Sequence, residues 1–312
     1  MRIAVSGPTG AIGHALLEAC IENDIEVLAI CRRGSKRIAT LPKSHLLRVL
    51  ELDLHEYAEF DTAGIVDEIG MCDVFYHLAW SGTVGAKRND MRLQHKNVGY
   101  ALDAVDLAYR LGCKKFIGAG SQAEYGRTEE KLSSATPTFP ENGYGIAKLC
   151  AGQMTRHACE KLGLQHMWTR ILSVYGPYDS ENSMITATLR KLMTNQVPEF
   201  TKGQQQWDYL YSLDAARALL LLGEKGKHGK IYPVGSGKSR ALSEYISELC
   251  EMSGCGIAPK FGVIPYAENQ VMYLCADIEE LTGDTGFVPT ISFEEGIRRT
   301  MEWMNEKSSA DI

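Results

Sequence analysis

The sequence predicts an α/β fold built on a doubly wound parallel sheet, with a smaller C-terminal α/β lobe. In the first half of the chain, short runs rich in β-branched residues alternate with stretches of helical periodicity. The first run ends at a glycine-rich turn that leads directly into a helix. No linker interrupts the chain, so we expect a sheet domain at 1–173, a lobe at 174–306 with a crossing between the two around 205–235, and a mobile tail at 307–312.

The composition is that of an ordinary globular chain of 312 residues, of which 45% are hydrophobic and 23% charged. The net charge is −6 with acids and bases interspersed, which argues against nucleic acid as a partner. No apolar run approaches the roughly 18–20 residues of a membrane span, and no signal-peptide pattern opens the chain, so we expect a cytoplasmic protein without a membrane partner. Nine scattered cysteines without a CxxC pair indicate buried, reduced thiols and no metal site.

The first predicted strand, at residues 3–6, leads into the turn GPTGAIG at positions 7–13. The first glycine permits the tight turn, the second lets the backbone approach a pyrophosphate, and the third lets the helix pack closely on the strand. The helix N-terminus would present free N–H groups and a positive dipole end to phosphates. We predict a dinucleotide site here, the alternative being a plain βα turn. The predicted residues are Gly7, Thr9, Gly10, Ala11, Ile12 and Gly13.

The second predicted strand, at residues 25–30, ends at the position that selects the cofactor in such folds. An acid there binds the ribose 2′-OH of NAD, whereas an arginine accommodates the 2′-phosphate of NADP. In this chain Arg32 and Arg33 follow the strand, and the run up to residue 37 contains no acid. The sequence therefore favours NADP(H), with NAD(H) as the alternative; without a cofactor, the run would be a solvated basic loop.

Three further strands are predicted at residues 46–52, 73–78 and 114–119, with a long amphipathic helix at 89–111. One histidine, His77, lies inside an apolar run. A hydrogen-bonded core histidine is a better interpretation of it than a catalytic one.

Ligands of parallel α/β folds bind outside the carboxyl ends of the strands, and polar residues follow two of these strands. Asp53 and Leu54 follow the third strand and would bracket an adenine. Ser121 stands at the end of the fifth strand, where a catalytic hydroxyl would lie.

Tyr144 and Lys148 are four residues apart in a predicted helix, so their side chains share one face. A cation about 5 Å from a phenol, at an effective dielectric of about 20, would lower the phenol pKa by roughly two units from about 10. The phenol could then give or take a proton during carbonyl reduction or alcohol oxidation, with Ser121 bonded to the same oxygen. Such pairs also occur by chance on surface helices, but the place of this one after the fifth strand favours an active site.

The second half contains shorter predicted elements after a sixth strand at 166–172. Trp207, Tyr209 and Tyr211 alternate and would share one strand face, where they stack on a base or fill the core. The other predicted elements are helices at 182–194, 213–222, 242–252 and 293–303, and strands at 205–211, 230–234 and 260–263.

Taken together, these motifs resemble the extended short-chain dehydrogenase/reductase superfamily, in its nucleotide-sugar epimerase/dehydratase/reductase branch. The resemblance covers nearly the whole length and rests on nine motifs in family order. They are the glycine turn at 7–13, Asp53-Leu54, His77-Leu78-Ala79, SQAEYG at 121–126, YGIAK at 144–148, Arg170 with VYGP at 174–177, WDYLY at 207–211, GSG at 235–237 and GFVP at 286–289.

The resemblance implies a catalytic triad of Ser121, Tyr144 and Lys148, with Lys148 also holding the nicotinamide ribose. It implies that the sheet domain binds the dinucleotide and the lobe a nucleotide sugar. Further cofactor contacts are implied at Leu78, Ala79, Trp80, Asn97, Leu172 and Val174. Substrate contacts are implied at Ser81, Gln122, Ala123, Ser173, Arg190, Trp207, Tyr209 and Arg240.

Departures from the family pattern narrow the expected reaction. Dehydratases of the family carry an acid pair directly after the catalytic hydroxyl, whereas Gln122 and Ala123 cannot ionise, which disfavours 4,6-dehydration. Glu124, one position further on, is expected to be structural. Trp207 and Ala267 stand where many relatives carry a phosphate-binding arginine. The missing charge would come from Arg190, Lys191, Lys202, Lys238 or Arg240.

We therefore expect an NADP-dependent reductase of a 4-keto sugar nucleotide of the 6-deoxy class, because the run at 207–211 is most similar to that of reductases making 6-deoxy sugars. A 4-epimerase with the same triad and tightly bound NAD is the alternative. A third interpretation is a non-catalytic NADP-sensing regulator, although such proteins typically lack the Tyr/Lys pair. By family analogy, we expect a homodimer through the helices at 89–111 and 142–162.

Overall fold

A computed structural model describes residues 1–310, and its centre is a seven-stranded parallel sheet. From edge to edge the strands are β10 (Ile231–Val234), β6 (Gln165–Ile171), β5 (Lys115–Ser121), β4 (Val74–His77), β1 (Arg2–Ser6), β2 (Glu26–Cys31) and β3 (Leu47–Glu51). The chain builds outward from β1 to β3, then returns to the centre and builds the other way from β4. This reversal confirms the predicted doubly wound sheet, and its switch point lies between β1 and β4.

Helices cover both faces of the sheet. On one face α1 (Ala11–Glu22) packs against α6 (Ser212–Lys225). On the other lie α2 (Ala63–Ile69), α3 (Met91–Arg110) and α4 (Gly143–Leu162). Each face buries a continuous apolar layer, which is the main source of the sheet's stability. Across residues 1–310, no helix has the length and apolar character that a bilayer crossing requires.

Side-chain caps fix where the two long helices beside the site begin. The Asp90 carboxylate accepts a hydrogen bond from Leu93 N at the start of α3. The Asn142 side chain accepts one from Gly145 N, at 2.9 Å, at the start of α4. Because a cap residue satisfies N–H groups that would otherwise lack partners, Asn142 sets the first turn of α4 and with it the position of Tyr144.

The remaining elements all follow β6 in the chain, in the part predicted to form the smaller lobe. Among them β7 pairs with β9 and β8 with β11, while β10 returns to the main sheet beside β6. They are β7 (Ser173–Tyr175), α5 (Met184–Met193), β8 (Gln206–Trp207), β9 (Tyr209–Tyr211), β11 (Arg240–Ala241), α7 (Leu242–Met252), α8 (Glu279–Thr285) and α9 (Phe293–Ala310). Helix α8 packs with the sheet, because its Leu281 belongs to the same apolar cluster as α1 and α6. Helix α9 thus includes 307–310, where a tail is expected from the sequence, and 311–312 lie outside the described residues.

The single strand predicted at 205–211 is wrong, because β8 and β9 are separate strands that pair with different partners. Buried Asp208 lies between them and accepts hydrogen bonds from Ser236 N at 2.8 Å, Gly237 N at 3.1 Å and Ala276 N at 3.0 Å. The side chain must face these amides, so the strand alternation is interrupted. As a consequence Trp207 packs in a different apolar cluster from its predicted neighbours on β9.

The strand predicted at 260–263 is also wrong. Lys260 forms only an isolated bridge with Glu199. Three nearby glycines, Gly254, Gly256 and Gly262, have φ values of +64°, +71° and +76°. Backbone in this left-handed region turns the chain away from the extended conformation, so the apolar residues between them do not form a strand.

Candidate active site

The turn after β1 has a shape that only glycine permits. Gly7 has a φ of +74°, and a Cβ there would lie 2.7 Å from the amide nitrogen of Ala79. A Cβ on Gly13 would lie 2.4 Å from the Gly7 carbonyl oxygen, so the close packing of α1 on β1 requires glycine at that position. A Cβ on Gly10 would meet only that same oxygen, at 3.9 Å, and would project into open space.

The fit of this turn to a dinucleotide follows from that open space. The first turn of α1 is made of Ala11, Ile12 and Gly13, whose uncharged side chains leave the helix N–H groups available to phosphate oxygens. The positive end of the helix dipole points to the same place. The residues present therefore fit the pyrophosphate of a nicotinamide dinucleotide.

Two cavities, of about 550 and about 400 Å³, meet at this turn and share Gly7 and Trp80. The larger cavity follows the ends of β2 and β3, and the smaller one follows the ends of β4, β5 and β6. Of the predicted site residues, the larger cavity is lined by Gly7, Thr9, Arg32, Asp53, Leu54, Ala79, Trp80 and Ser81. The smaller is lined by Gly10, Ala11, Ile12, Gly13, Leu78, Leu172 and Val174, and by Ser121, Tyr144 and Lys148.

The larger cavity also has lining residues that sequence reasoning missed. Ser35 and Arg37 belong to the basic run after β2 and could have been found from it. No motif pointed to the others, which include His55, Tyr57 and Tyr100.

The two arginines after β2 differ in their surroundings. Arg33 points to Glu56, with Nε 2.9 Å from Oε2 of that carboxylate. Glu51, at the end of β3, accepts a hydrogen bond from Gly34 N at 2.7 Å and holds the same turn. Arg32 lines the larger cavity, so it is the arginine of the pair that can reach a group bound there.

The predicted trio is brought together by three elements. Ser121 is the last residue of β5, and Tyr144 and Lys148 lie in the first two turns of α4. All three side chains are buried and line the 400 Å³ cavity, into which the glycine turn also opens. This arrangement puts a phenol, a hydroxyl and an ammonium beside the place that the nicotinamide end of a dinucleotide would take.

Burial has opposite effects on the two titrating groups of this trio. The ammonium of Lys148 donates to Ala119 O at 2.5 Å and lies 3.8 Å from the centre of the Trp80 ring. Burial lowers the Lys148 pKa to about 7, and the Glu124 carboxylate partly opposes that change. Burial raises the pKa of Tyr144, which the Ser121 hydroxyl partly offsets. The expected net lowering of the Tyr144 pKa is therefore wrong for this structure, because desolvation of the phenol outweighs the Ser121 hydrogen bond and the Arg88 charge.

Arg88 is a site residue that sequence reasoning missed. Its guanidinium lies 4.4 Å from the centre of the Tyr144 ring and donates to Thr83 O at 3.0 Å. The positive charge of Arg88 lowers the pKa of the Tyr144 phenol, against the effect of burial. No helical or strand spacing connects residues 88 and 144, so only the folded chain reveals the contact.

Two hydrogen bonds join the side chain of Asn97 to the backbone of the cavity residue Ser81. The Asn97 side chain accepts from Ser81 N at 3.2 Å and donates to Ser81 O at 2.9 Å. Asn97 is buried behind this loop, so it shapes the wall of the larger cavity through Ser81.

The residues that line the cavity of the trio do not include the other predicted substrate residues, Ser173, Arg190, Trp207, Tyr209 and Arg240. The Trp207 indole donates to the Ser173 hydroxyl at 2.8 Å. Tyr209 packs edge-on against Tyr175 and Tyr245 in an aromatic cluster. The two remaining cations are both paired, Arg190 with Glu181 and Arg240 with Glu248.

Gln122 and Ala123 form a short 3-10 turn after Ser121, and Ala123 N donates to the Ser121 hydroxyl oxygen at 3.2 Å.

His77 is a hydrogen-bonded core histidine, as predicted, because its Nδ1 lies 2.9 Å from the Ser6 hydroxyl in a buried contact. Within residues 1–310, no cluster of three His, Cys, Asp or Glu side chains could hold a metal ion.

Comparison with known proteins places this geometry in a family. Residues 3–235 match the NAD dependent epimerase/dehydratase family. The chain is 25% identical to the dTDP-glucose 4,6-dehydratase of Escherichia coli, over 98% of this chain and 94% of that protein. It is 26% identical to the dTDP-D-glucose 4,6-dehydratase of Mus musculus, over 97% and 88% of the two chains.

Solved structures share the fold over nearly the whole length. The UDP-N-acetylglucosamine 4-epimerase of Methanobrevibacter ruminantium superposes with a TM-score of 0.86 at 24% identity, covering 98% of both chains. The UDP-glucuronic acid 4-epimerase of Bacillus cereus, solved with NAD, superposes with a TM-score of 0.84 at 20% identity, covering 98% of this chain and 100% of that one. The predicted fold class and superfamily are therefore confirmed. This chain is an enzyme of the NAD dependent epimerase/dehydratase family, in the extended short-chain dehydrogenase/reductase branch to which the dehydratases and epimerases named above belong.

Proposed function

We propose that this enzyme reduces the 4-keto group of a nucleotide sugar, with a 6-deoxy sugar as the preferred class. The observation that carries the proposal is that Ser121, Tyr144 and Lys148 line one cavity with the glycine turn. Gln122 and Ala123 occupy the positions where dehydratases of the family carry acids. A site that can move one proton at oxygen, but lacks the acid pair that expels water, is suited to reduction.

A reduced nicotinamide dinucleotide held at the glycine turn would supply the hydride that the carbonyl carbon accepts in the proposed reaction. The Tyr144 hydroxyl donates its proton to the carbonyl oxygen, so that ketone, hydride and proton together give the alcohol. The Ser121 hydroxyl bonds the same oxygen and keeps it in line with the phenol. The phenolate that remains on Tyr144 is stabilised by the charges of Lys148 and Arg88.

A 4-epimerase is the second candidate, and the solved relatives named as 4-epimerases support it. Epimerisation would use the same trio, with Tyr144 first taking and then returning the proton. The two functions differ in their balance of electrons. A reductase consumes one reduced cofactor per product, whereas an epimerase returns the hydride and consumes none.

The test is an incubation of the purified protein with NADPH, NADH and a panel of 4-keto-6-deoxy and ordinary nucleotide sugars, including dTDP-glucose. We expect stoichiometric oxidation of NADPH with a keto sugar, and an alcohol at C4 by NMR. Inversion at C4 without net oxidation would identify the epimerase, and loss of water from dTDP-glucose would identify a dehydratase. Stabilisation by cofactor without turnover of any sugar would identify a non-catalytic sensor.

For the cofactor, we propose NADP(H) in preference to the NAD of the family description. Arg32, Ser35 and Arg37 line the end of the larger cavity where an adenosine ribose would lie. Two guanidinium groups and a hydroxyl suit a 2′-phosphate, which bonds arginine strongly.

Arg32→Ala is expected to lower kcat/KM for NADPH about 10- to 100-fold and to leave the value for NADH nearly unchanged, because a charge-assisted hydrogen bond contributes about 1.5–3 kcal/mol. Steady-state kinetics with both cofactors measure the change. Arg33→Ala is the matched control and should alter the ratio less than about twofold, since Arg33 is engaged with Glu56. Equal losses with both cofactors in Arg32→Ala would contradict the proposal.

We also propose a homodimer through α3 and α4. Along α4 the residues Ile146, Cys150 and Met154 recur every four positions and are exposed, and α3 exposes Met91 and Tyr109. Helices of soluble proteins seldom expose such a stripe unless it is covered by a partner. A second copy related by a two-fold axis would bury both stripes against each other.

The double variant Ile146→Glu/Met154→Glu is expected to be monomeric at micromolar concentration, because like charges would face each other in a desolvated interface. Light scattering after gel filtration measures the mass. Lys202→Glu, an exposed position in the lobe, is the control and should stay dimeric. A monomeric wild-type protein would refute the proposed dimer.

A further inference from the structure

Directly behind the catalytic serine lies Glu124, a carboxylate that the proposed reaction does not use. Its side chain is 0% exposed. Its Oε1 accepts a hydrogen bond from Ser121 N at 2.8 Å, while the Ser121 hydroxyl oxygen accepts one from Ala123 N at 3.2 Å. This reciprocal capping box ties the backbone of Ser121 to a single buried side chain.

Glu124 is held in turn by two residues of β6. The Trp168 indole donates to both carboxylate oxygens, at 3.0 and 3.2 Å, and Arg170 Nε donates at 2.8 Å. Trp168 is 2% and Arg170 3% exposed, so both side chains are almost completely buried, and together with Glu124 they line a cavity of about 170 Å³. An ion pair in such a place loses several kcal/mol of hydration for each ion and depends on complete hydrogen bonding.

The elements that carry the trio pack directly on this network. A Cβ on Gly120, the residue before Ser121, would lie 2.2 Å from the Trp168 indole nitrogen and 2.3 Å from a Glu124 oxygen. A Cβ on Gly152, one turn after Lys148, would lie 2.8 Å from the same indole. Both β5 and α4 therefore approach the network more closely than a side chain would allow.

We propose that Glu124 is a positioning residue of the active site, which fixes Ser121 through the capping box and supplies the negative charge that faces Lys148 and Tyr144 from behind. An apolar residue would fill this buried position without the desolvation of an ion pair. The inference rests on the proposed function only in assuming that the trio catalyses the reaction.

The charge of Glu124 has a definite effect on both titrating groups. It raises the pKa of Lys148 and raises the pKa of Tyr144. The other groups that act on them are known: Arg88 and the Ser121 hydroxyl lower the Tyr144 pKa, and the Lys148 charge lowers the pKa of buried His77. Arg170 is the counter-ion of Glu124 on the side away from the cavity.

Glu124→Gln tests the proposal, since it keeps the size and one oxygen but removes the charge. We expect kcat to fall about 10- to 100-fold with a nearly unchanged cofactor Kd, because loss of the Glu124 charge also lowers the Lys148 pKa and leaves less ammonium to stabilise the phenolate. Without the negative charge the phenolate is less disfavoured, so the Tyr144 pKa falls and the high-pH loss of reductase activity begins at lower pH. Glu130→Gln, in the loop after the same turn, is the matched control and should match the wild type.

A second variant covers the case in which Glu124→Gln leaves Arg170 unpaired and fails to fold. Glu124→Gln/Arg170→Met removes both charges at similar volume and should fold, because neutral replacement of a buried pair is often tolerated. We expect the same fall in kcat and the same shift of the pH profile. A folded variant with wild-type kcat and an unmoved profile would overturn the proposal.

A readout independent of turnover separates this inference from the proposed function. The Tyr144 phenol can be titrated by NMR with ring-labelled tyrosine, its signal being assigned from Tyr144→Phe. We expect a lower pKa in the charge-free variants than in the wild type. If no sugar is turned over but the Tyr144 pKa shifts, the proposed reaction is wrong and the electrostatic role of Glu124 is supported. If a sugar is turned over but the Tyr144 pKa does not shift, the proposed reaction is supported and the role of Glu124 is wrong.

Discussion

Tyr144→Phe is expected to lower kcat about 10²- to 10⁴-fold while leaving the cofactor Kd nearly unchanged, because it removes the proton donor of the reaction. Single-turnover kinetics with the substrate found in the panel measure the chemical step directly. The phenyl ring would keep its contacts with Trp80, which lies edge-on at 6.3 Å between ring centres, and with Arg88. The loss should therefore appear in the rate and not in the stability.

The control for this variant is Tyr109→Phe, on the exposed side of α3. It removes the same hydroxyl away from the cavity, in the stripe that the proposed dimer covers, and should leave kcat within about twofold of the wild type because the apolar ring that the dimer would bury is kept. Full activity in Tyr144→Phe would remove the proton-donor role. A large rise in the cofactor Kd would instead indicate that the phenol binds the cofactor and does not act on the substrate.

The sequence was sufficient to predict the parts of the site that local patterns determine. The glycine turn, the end of β5 and the spacing of Tyr144 and Lys148 each lie within one strand-turn-helix segment, so their geometry follows from short-range rules. The α/β alternation likewise predicted the parallel sheet, because parallel strands need a crossover of this length. These are the features that the folded chain reproduces.

Features that depend on distant parts of the chain were not predictable in this way. Arg88 reaches Tyr144 across the interface of two segments, and Asp208 interrupts a strand because amides from 236, 237 and 276 converge on it. The net effect on the Tyr144 pKa was predicted with the wrong sign, since the sequence reveals a nearby cation but not how completely the phenol is buried. Desolvation is a property of the whole fold.

Lys148→Met is expected to abolish activity and yet to stabilise the cofactor-free protein at neutral pH. Burial lowers the Lys148 pKa from its ordinary value of 10.5 to about 7, so the native chain holds this proton less tightly than the unfolded chain. Between these two pKa values the unfolded state binds more protons, and the free energy of unfolding therefore rises with pH by up to about 1.4 kcal/mol per unit. Below about pH 7 both states are protonated, and the native protein bears the full penalty of a buried ammonium.

The pH dependence makes this prediction distinctive. Thermal midpoints of the cofactor-free wild type should rise between about pH 7 and pH 9 relative to those of Lys148→Met, in which that contribution is missing. Lys161→Met, an exposed lysine on the same helix, should follow the wild type at every pH. The cofactor should stabilise Lys148→Met less than the wild type, because the ammonium that would hold the nicotinamide ribose is gone. If the thermal midpoints of the two proteins change with pH in parallel, the Lys148 pKa is not lowered in the cofactor-free enzyme. The buried ammonium would then not destabilise the fold, and the prediction would be wrong.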